Sequence, residues 1–145
     1  MSQTPAQSRI EPPSAQPPSE PAAIRVTAMP ADTNVYGDTF GGLLVGQMDL
    51  AAGAVASRHS HGRAVTVAID AITFHHPVRV GDEVSVFARR LMTGRSSMRI
   101  AVEAWQRDRD GEATRKVTAA IFTFVAVDEA GRPRPLPAQK LTGGP

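Results

Sequence analysis

The feature that most constrains the fold is one helix-length stretch without proline, which strand-like patterns precede and follow. No proline occurs between residues 42 and 60, and Leu44, Met48, Ala51 and Val55 recur there at helical spacing. The stretch ends in histidines and a glycine, which are common at helix C-termini. We find no other convincing helical pattern, so the remaining regular structure is expected to be strand.

One short run of alternating apolar residues precedes this helix, and four runs follow it. The runs cover about residues 24–29, 65–74, 84–88, 98–104 and 117–127, with Phe74 extending the second. Glycine-containing turns bound the runs, and consecutive strands joined by short turns form antiparallel sheets. The sequence therefore predicts an α+β fold in which a five-stranded antiparallel sheet wraps around one long central helix, the hot-dog architecture.

The predicted domain covers residues 23–137 and lies between two tails. Residues 1–22 are rich in Pro, Ser, Gln and Ala, and such a composition buries too little apolar surface to offset the entropy of ordering, so a disordered tail is predicted. Residues 138–145 are predicted to form a flexible C-terminal tail. A chain of 145 residues is long enough for one domain with a modest core.

Composition excludes several classes of function. The chain has no cysteine, which excludes disulfides, thiolate metal sites and cysteine nucleophiles. No apolar run approaches the roughly 20 residues needed to cross a bilayer, and the N-terminal residues lack the apolar core of a secretory signal, so we expect no membrane partner and a cytoplasmic location. Basic residues are interleaved with acidic ones, which argues against a nucleic-acid partner.

Asp49 is the candidate catalytic group on the predicted helix. Seven residues bring a helix nearly back to the same angle, so Asp49 lies in line with Gly42 and Ala56 and is flanked by Gly46 and Gly53. Small neighbours on this stripe would form a notch that contains an acid. The alternative is that Asp49 faces water, as most helix aspartates do.

The start of the helix supplies a second candidate. Gly41 and Gly42 follow Asp38, Thr39 and Phe40, and a glycine-rich helix start leaves backbone N–H groups free at the positive end of the helix dipole. Such groups polarise a carbonyl oxygen or hold an oxyanion, and an acid nearby that activates water would complete a site for acyl transfer. The alternative is a simple tight turn, with Asp38 or Thr39 as the helix cap.

Three segments of the chain resemble the bacterial YciA-type acyl-CoA thioesterases of the hot-dog superfamily. The first, residues 28–82, contains MPADTN, GDTFGG, QMD and PVRVGD in the family's order and spacing. The others are GRSSMRIAVEAW and AIFTFVAVDEAGRPRPLP, and the resemblance covers about residues 24–137. It implies hydrolysis of acyl-CoA thioesters of varied acyl chain, and assembly as a dimer or a trimer of dimers. It also implies chemistry that uses no metal or organic cofactor.

Site residues follow from the same resemblance. Asp49 of the QMD segment matches the family's catalytic carboxylate, and the backbone of Gly41 and Gly42 matches the element that polarises the thioester carbonyl. Asn34 and Asp38 match loop positions near the site and are expected to support substrate binding. The chain departs from the family pattern at Val35, Tyr36 and Leu43, which we expect to reshape the acyl pocket.

The phosphates of CoA need basic or polar partners. Candidates are a predicted hairpin turn and a residue after the helix, namely Arg95, Ser96, Ser97 and Arg63. For each arginine, a solvated surface charge is the alternative.

Other functions fit the sequence less well. His59 with His61, and His75 with His76, lack carboxylate or cysteine partners at metal-ligand spacing, so no metal site is predicted. An acyl-thioester hydratase or dehydratase would need a histidine near the helix start, and none lies between residues 30 and 58. A non-catalytic acyl-CoA sensor would need an output domain, and the tails are too short and polar to be one. A purely structural oligomer would leave the acid notch unexplained.

Overall fold

The regular structure consists of one long helix and five strands in a computed structural model that describes residues 16–138. The elements in chain order are β1 (Ile24–Thr27), a short 3-10 turn (Pro30–Asp32), α1 (Gly41–Ser60), β2 (Ala64–Asp70), β3 (Glu83–Thr93), β4 (Ser97–Arg107) and β5 (Thr114–Ala126). The predicted helix and all five predicted strands are therefore present. The outer parts of the predicted tails, residues 1–15 and 139–145, lie outside the described residues.

The strands form a single antiparallel sheet in the order β1-β3-β4-β5-β2. The long strands β3, β4 and β5 are consecutive neighbours, because short turns allow each to fold back on the one before. The short strands β1 and β2 close the two edges, and α1 packs on one face of the curled sheet. This arrangement confirms the predicted hot-dog fold.

The core lies between α1 and the concave face of the sheet. Helix residues Leu44, Met48, Ala51, Ala52 and Ala56 are buried there. The alanines let the helix approach the sheet closely, and a Cβ atom placed on Gly53 would lie only 3.6 Å from the ring of Phe124. Each helical glycine costs up to about 1 kcal/mol of helix stability, so α1 depends on the sheet that it packs against.

The ends of α1 agree with the sequence signals. His61 has a left-handed backbone with φ 58°, and its N–H donates to the carbonyl of Ser57, which ends the helix. The following Gly62 N–H donates to the same carbonyl. The histidine and glycine that predicted the helix end therefore form its C-terminal cap.

The prediction that Phe74 extends the second strand was wrong. β2 ends at Asp70, because Ala71 adopts a positive φ of 39° that no strand residue can hold. The chain then runs irregularly, with the N–H of His75 donating to the carbonyl of Val117. Phe74 consequently lies beside the start of α1 instead of within the sheet.

Among residues 16–138, no helix has the length and apolar character that a membrane crossing requires.

Candidate active site

Asp49 lies in the third turn of α1 and is half-buried. Of the small residues predicted to surround it, Gly42 and Gly46 have open space where a side chain would begin, whereas Gly53 rests against Phe124. The carboxylate therefore stands beside a stretch of helix surface that bears no side chains toward the helix start. The predicted notch is therefore open on the side of Gly42 and Gly46 and filled by Phe124 on the side of Gly53.

A threonine on β2 holds this carboxylate. The hydroxyl of Thr66 donates to Oδ1 of Asp49 at 2.5 Å. A β-bulge at Val67 follows immediately, because Thr66 pairs with Phe124 and Ala68 with the adjacent Thr123. Bulges of this kind re-aim side chains next to functional sites. Thr66 was not among the predicted site residues, and the order of apolar and polar residues in β2 was the only signal that could have indicated it.

The first N–H groups of α1 are open to a ligand. Phe40 is the N-cap residue, and it makes no side-chain cap hydrogen bond, so neither Asp38 nor Thr39 acts as the cap. Within the described part of the chain, the backbone N–H groups of Gly41 and Gly42 have no hydrogen-bond partner. Two free donors at the positive end of a 20-residue helix form an environment suited to a polarised carbonyl oxygen.

The loop before α1 is organised by Asn34. Its Oδ1 accepts hydrogen bonds from the N–H of Tyr36 at 2.8 Å and of Asp38 at 3.2 Å. The N–H of Asn34 donates to the carbonyl of Asp38 at 2.7 Å, and the turn between them contains Gly37 with φ 86°. Asn34 thus positions the loop through its oxygen. The carboxylate of Asp38 lies 3.9 Å from Nε of Arg79, a largely exposed pair.

Apolar side chains surround the helix start. A Cβ atom on Gly41 would lie 3.4 Å from the ring of Phe74, so this ring stands directly beside the free N–H groups. Phe40, Val35 and Tyr36 are exposed, the last two by 91% and 85%. The hydroxyl of buried Thr39 has no partner within residues 16–138. The region therefore presents apolar side chains beside the free backbone N–H groups of Gly41 and Gly42, as sites for small ligands commonly do, whereas the Thr39 hydroxyl is buried beneath the surface.

The candidates for CoA binding lie together at the other end of α1. Arg63 contacts the carbonyls of Asp128 and Glu129 at 3.5 and 3.4 Å through Nη1. The carbonyls of Arg95 and Ser96 accept hydrogen bonds from Leu136 and Ala126, which places their turn beside the same C-terminal segment. Ser97 begins β4 opposite Val125. Arg63 is three residues from Thr66 along the chain, a span of about 10 Å when extended.

The histidines do not form a metal centre in the described chain. No group of three or more potential ligands converges within residues 16–138. His59 lies near the end of α1, where its Nδ1 is 3.3 Å from Nη1 of Arg90. Burial lowers the pKa of His59, and the nearby charges of Arg90 and His61 lower it further. This imidazole is therefore biased toward its neutral form.

Comparison with protein families and curated sequences gives one consistent picture. Residues 36–113 match the model of the thioesterase superfamily. An uncharacterised acyl-CoA thioester hydrolase of Zymomonas mobilis is 55% identical over 126 residues, which are 87% of this chain and 84% of that protein. The acyl-CoA thioester hydrolase YciA of Escherichia coli is 44% identical over 119 residues, which are 80% of this chain and 90% of that protein.

Comparison with solved structures agrees with the comparison of sequences. A hexameric thioesterase of Yersinia pestis superposes with a TM-score of 0.79 at 47% identity, covering 84% of this chain and 99% of that one. A hexameric broad-specificity acyl-coenzyme A thioesterase, solved as an aspartate-to-alanine mutant, gives 0.78 at 42% identity over 83% of this chain and 89% of that one. An acyl-CoA hydrolase of Staphylococcus aureus, solved in complex with butyryl-coenzyme A and coenzyme A, gives 0.73 at 30% identity over 79% of this chain and 70% of that one.

Proposed function

The chain belongs to the thioesterase superfamily, among the YciA-type acyl-CoA thioester hydrolases, and we propose that it cleaves acyl-CoA with Asp49 as the catalytic carboxylate. The observation that carries this proposal is the hydrogen bond from Thr66 to Asp49, beside open helix surface at Gly42 and Gly46. A carboxylate fixed at one oxygen next to unoccupied space is suited to acting on water or on a carbonyl carbon. Two similar thioesterases were solved as aspartate-to-alanine mutants, which supports a carboxylate in the chemistry.

In the proposed reaction, the thioester oxygen accepts hydrogen bonds from the N–H groups of Gly41 and Gly42. Asp49 either takes a proton from a water molecule that attacks the carbonyl carbon, or attacks that carbon itself. In the first route, the carbon–sulfur bond breaks, the proton taken up by Asp49 passes to the departing CoA thiolate, and the free acid is released. In the second route, the thiolate leaves an acyl–Asp49 anhydride and takes a proton from solvent, and one water molecule then hydrolyses the anhydride to the free acid and Asp49. The free N–H groups stabilise the negative charge that develops on the carbonyl oxygen.

The spacing along α1 favours a site built from two copies of the chain. Seven residues separate Gly42 from Asp49, which corresponds to about 10 Å along the helix axis. Reacting atoms must approach to about 3 Å, so the helix start of one copy and the Asp49 of another are better placed to share one thioester. The exposed apolar residues of β2 supply a surface for such assembly, and similar proteins are hexameric. We include a hexamer, as a trimer of dimers, in the proposal.

The remaining site residues have supporting roles. Asn34 holds the loop before α1 with its oxygen, which leaves its amide N–H groups available to the substrate. The backbone of Asp38 pairs with that of Arg79 and so holds the same loop, while the two side chains, 3.9 Å apart, stay largely exposed. Arg63, Arg95, Ser96 and Ser97 are proposed to contact the phosphate-bearing end of CoA, because they lie together at an exposed end of the sheet. Phe74, Val35 and Tyr36 would line the acyl chain.

The test is a thiol-release assay with acyl-CoAs from acetyl to palmitoyl, run in parallel on the wild type, Asp49→Asn and Asp110→Asn. Asp110 is an exposed turn residue and provides a matched control. We expect hydrolysis by the wild type and the control, and loss by orders of magnitude in Asp49→Asn, with unchanged circular dichroism and assembly size. Near-normal turnover by Asp49→Asn would overturn the assignment of the carboxylate. Folded oligomeric protein that hydrolyses none of the substrates would instead support a non-catalytic acyl-CoA sensor.

A further inference from the structure

The outer face of the sheet, which is turned away from α1, carries aromatic side chains that are buried outside the main core. Phe87 and Trp105 are only 6% and 3% exposed. Their neighbours Val86 and Ala104 belong to the core beneath the helix, whereas Phe87 and Trp105 do not. Because adjacent residues of a strand point to opposite faces, these two rings lie on the outer face. Some other part of the chain must cover them.

Polar groups hold Trp105 in place on this face. Its indole N–H donates to the carboxylate of Glu103 at 2.8 Å, and Nζ of Lys116 lies 5.9 Å from the centre of its rings. On the neighbouring strand β3, Ser85 lies directly opposite Trp105 in the register of β3 and β4, and its hydroxyl accepts a hydrogen bond from Nε of Arg25. These contacts satisfy the indole N–H and fix the position of Trp105 on the outer face.

The segment just before β1 lies on the same face. Pro17 lines a cavity of about 100 Å³ together with Phe87 and Trp105. Pro18 and Glu20 line a second, smaller cavity of about 20 Å³ together with Phe87 and Arg89. Both prolines are half-buried although the segment has no regular secondary structure. The N–H of Ala23 donates to the carbonyl of Val86, which fixes the point where the segment joins the sheet.

We propose that residues 16–22, here called the N-terminal strap, close over Phe87 and Trp105, and that this outer face is the binding surface for this proline-containing segment. Each proline fixes its own φ, so less entropy is lost when such a segment docks on aromatic side chains. Glu20 and Arg89 line the same cavity with opposite charges, which favours this occupant. The composition that suggested a tail is thus also suited to binding an aromatic surface.

The strap goes beyond the proposed hydrolysis and can be tested separately from it. Phe87 and Trp105 are on the face of the sheet opposite to α1, and the strap contains no residue of the candidate active site. Thiol release should therefore remain unchanged when the strap is altered. Absence of hydrolysis would appear in the thiol-release assay, whereas absence of strap binding would appear in fluorescence measurements on Trp105 and on a labelled strap.

The first experiment uses the full chain, in which Trp105 is the only tryptophan. The variant Pro17→Ser/Pro18→Ser is compared with Pro12→Ser/Pro13→Ser, a matched change in the other Pro-Pro pair upstream. We expect the first variant to show red-shifted tryptophan emission and at least a doubling of quenching by acrylamide. The second should match the wild type. Equal shielding of Trp105 in all three proteins would overturn the proposal.

The second experiment locates the strap directly. Because the chain has no cysteine, Ser19→Cys can be labelled with bimane, whose fluorescence tryptophan quenches on contact. We expect labelled Ser19→Cys to be dim and labelled Ser19→Cys/Trp105→Phe to be bright. Equal brightness of the two would overturn the proposal. The labelled double variant, co-assembled with excess wild type, should stay bright, and a loss of its fluorescence would show that the strap covers another copy and not its own chain.

Discussion

At the scale of single residues, the hydrogen bond between Thr66 and Asp49 is the contact most closely tied to the proposed chemistry. A hydroxyl that donates to a carboxylate contributes about 1.5–3 kcal/mol, more than a bond between neutral groups. Here the donor comes from the sheet and the acceptor from the helix, so the bond fixes the carboxylate relative to both elements. Its loss would leave Asp49 free to rotate away from the substrate.

Replacing Thr66 by valine should therefore lower kcat about ten- to hundredfold with little change in KM, because shape is kept and only the donor is lost. Thr66→Ser, which retains the hydroxyl, should recover most of the rate. Steady-state kinetics of both variants on one preferred acyl-CoA would measure this. If the valine variant kept the wild-type kcat, the hydroxyl would have no part in positioning the carboxylate.

The position of Asp49 beside small residues could be predicted from the sequence, whereas its contact with Thr66 could not. The stripe of small residues around Asp49 depends only on the geometry of one helix, which spacing alone determines. The role of Thr66 depends on which strand lies beside α1 and on the bulge at Val67, both of which follow from packing over a long sequence separation. Asn34 was expected near the site, but its hydrogen bonds were not specified in advance, although they join residues no more than four positions apart in one turn.

His59 provides a pH-dependent contribution to stability. Burial, then Arg90 and His61, lower its pKa in the folded chain below the usual 6.5. The unfolded chain therefore binds a proton first as pH falls, so this contribution is present above about pH 6.5 and is lost as pH falls below that value toward the folded pKa. We expect the Tm of His59→Gln to fall less than that of the wild type between about pH 8 and about pH 5. Thermal melts across that range measure this, with His76→Gln, at an exposed histidine, as the control that should follow the wild type. An equal fall in the Tm of His59→Gln and of the wild type would contradict the expectation.

At the scale of elements, the helix and the strands were largely predictable and their ends were less so. The predicted helix from residue 42 to 60 differs from the observed Gly41–Ser60 by one residue, because proline-free spacing and a histidine–glycine cap are local signals. The second strand was predicted too long, since alternation continues past Asp70 to Phe74 although the backbone turns at Ala71. A positive φ at alanine leaves no trace in the pattern of apolar residues.

One side chain ties the C-terminal segment to the end of α1. The guanidinium of Arg134 donates to the carbonyls of Val127, Ser60 and Arg63, and to the hydroxyl of Ser60 at 3.4 Å. A cation at a helix C-terminus is also favoured by the helix dipole. Proline-rich composition in this part of the chain gave no indication of such an anchor.

Arg134→Ala should therefore lower the free energy of unfolding by about 2–4 kcal/mol, because several carbonyls lose a charged donor at once. Arg132→Ala is the matched control, since Arg132 is exposed, and should change it by less than about 0.5 kcal/mol. Urea unfolding followed by circular dichroism, at matched protein concentration, measures both. Equal effects of the two substitutions would show that Arg134 is not an anchor.

At the scale of the whole molecule, one edge of the sheet is unsuited to a single copy in water. Among residues 16–138, β2 is an edge strand that pairs with β5 alone, and Val65, Val67 and Ile69 are 38%, 55% and 38% exposed on it. Apolar edge strands promote pairing with another chain, and proteins that avoid such pairing often place lysine there. This strand thus gives a physical basis for the assembly that we propose.

The same edge connects assembly to the active site, because Val67 forms the bulge that directly follows Thr66. Val67→Lys should place a charge in a buried interface at a cost of several kcal/mol, so the variant should elute as a smaller species and lose thiol release together. Val80→Lys, at another exposed valine in a turn, should change neither. Size exclusion with light scattering measures the assembly size of both variants, and the thiol-release assay measures their activity. A Val67→Lys protein that elutes as a fully active single chain would show that each copy contains a complete site, and that the 10 Å between Gly42 and Asp49 is bridged within one helix.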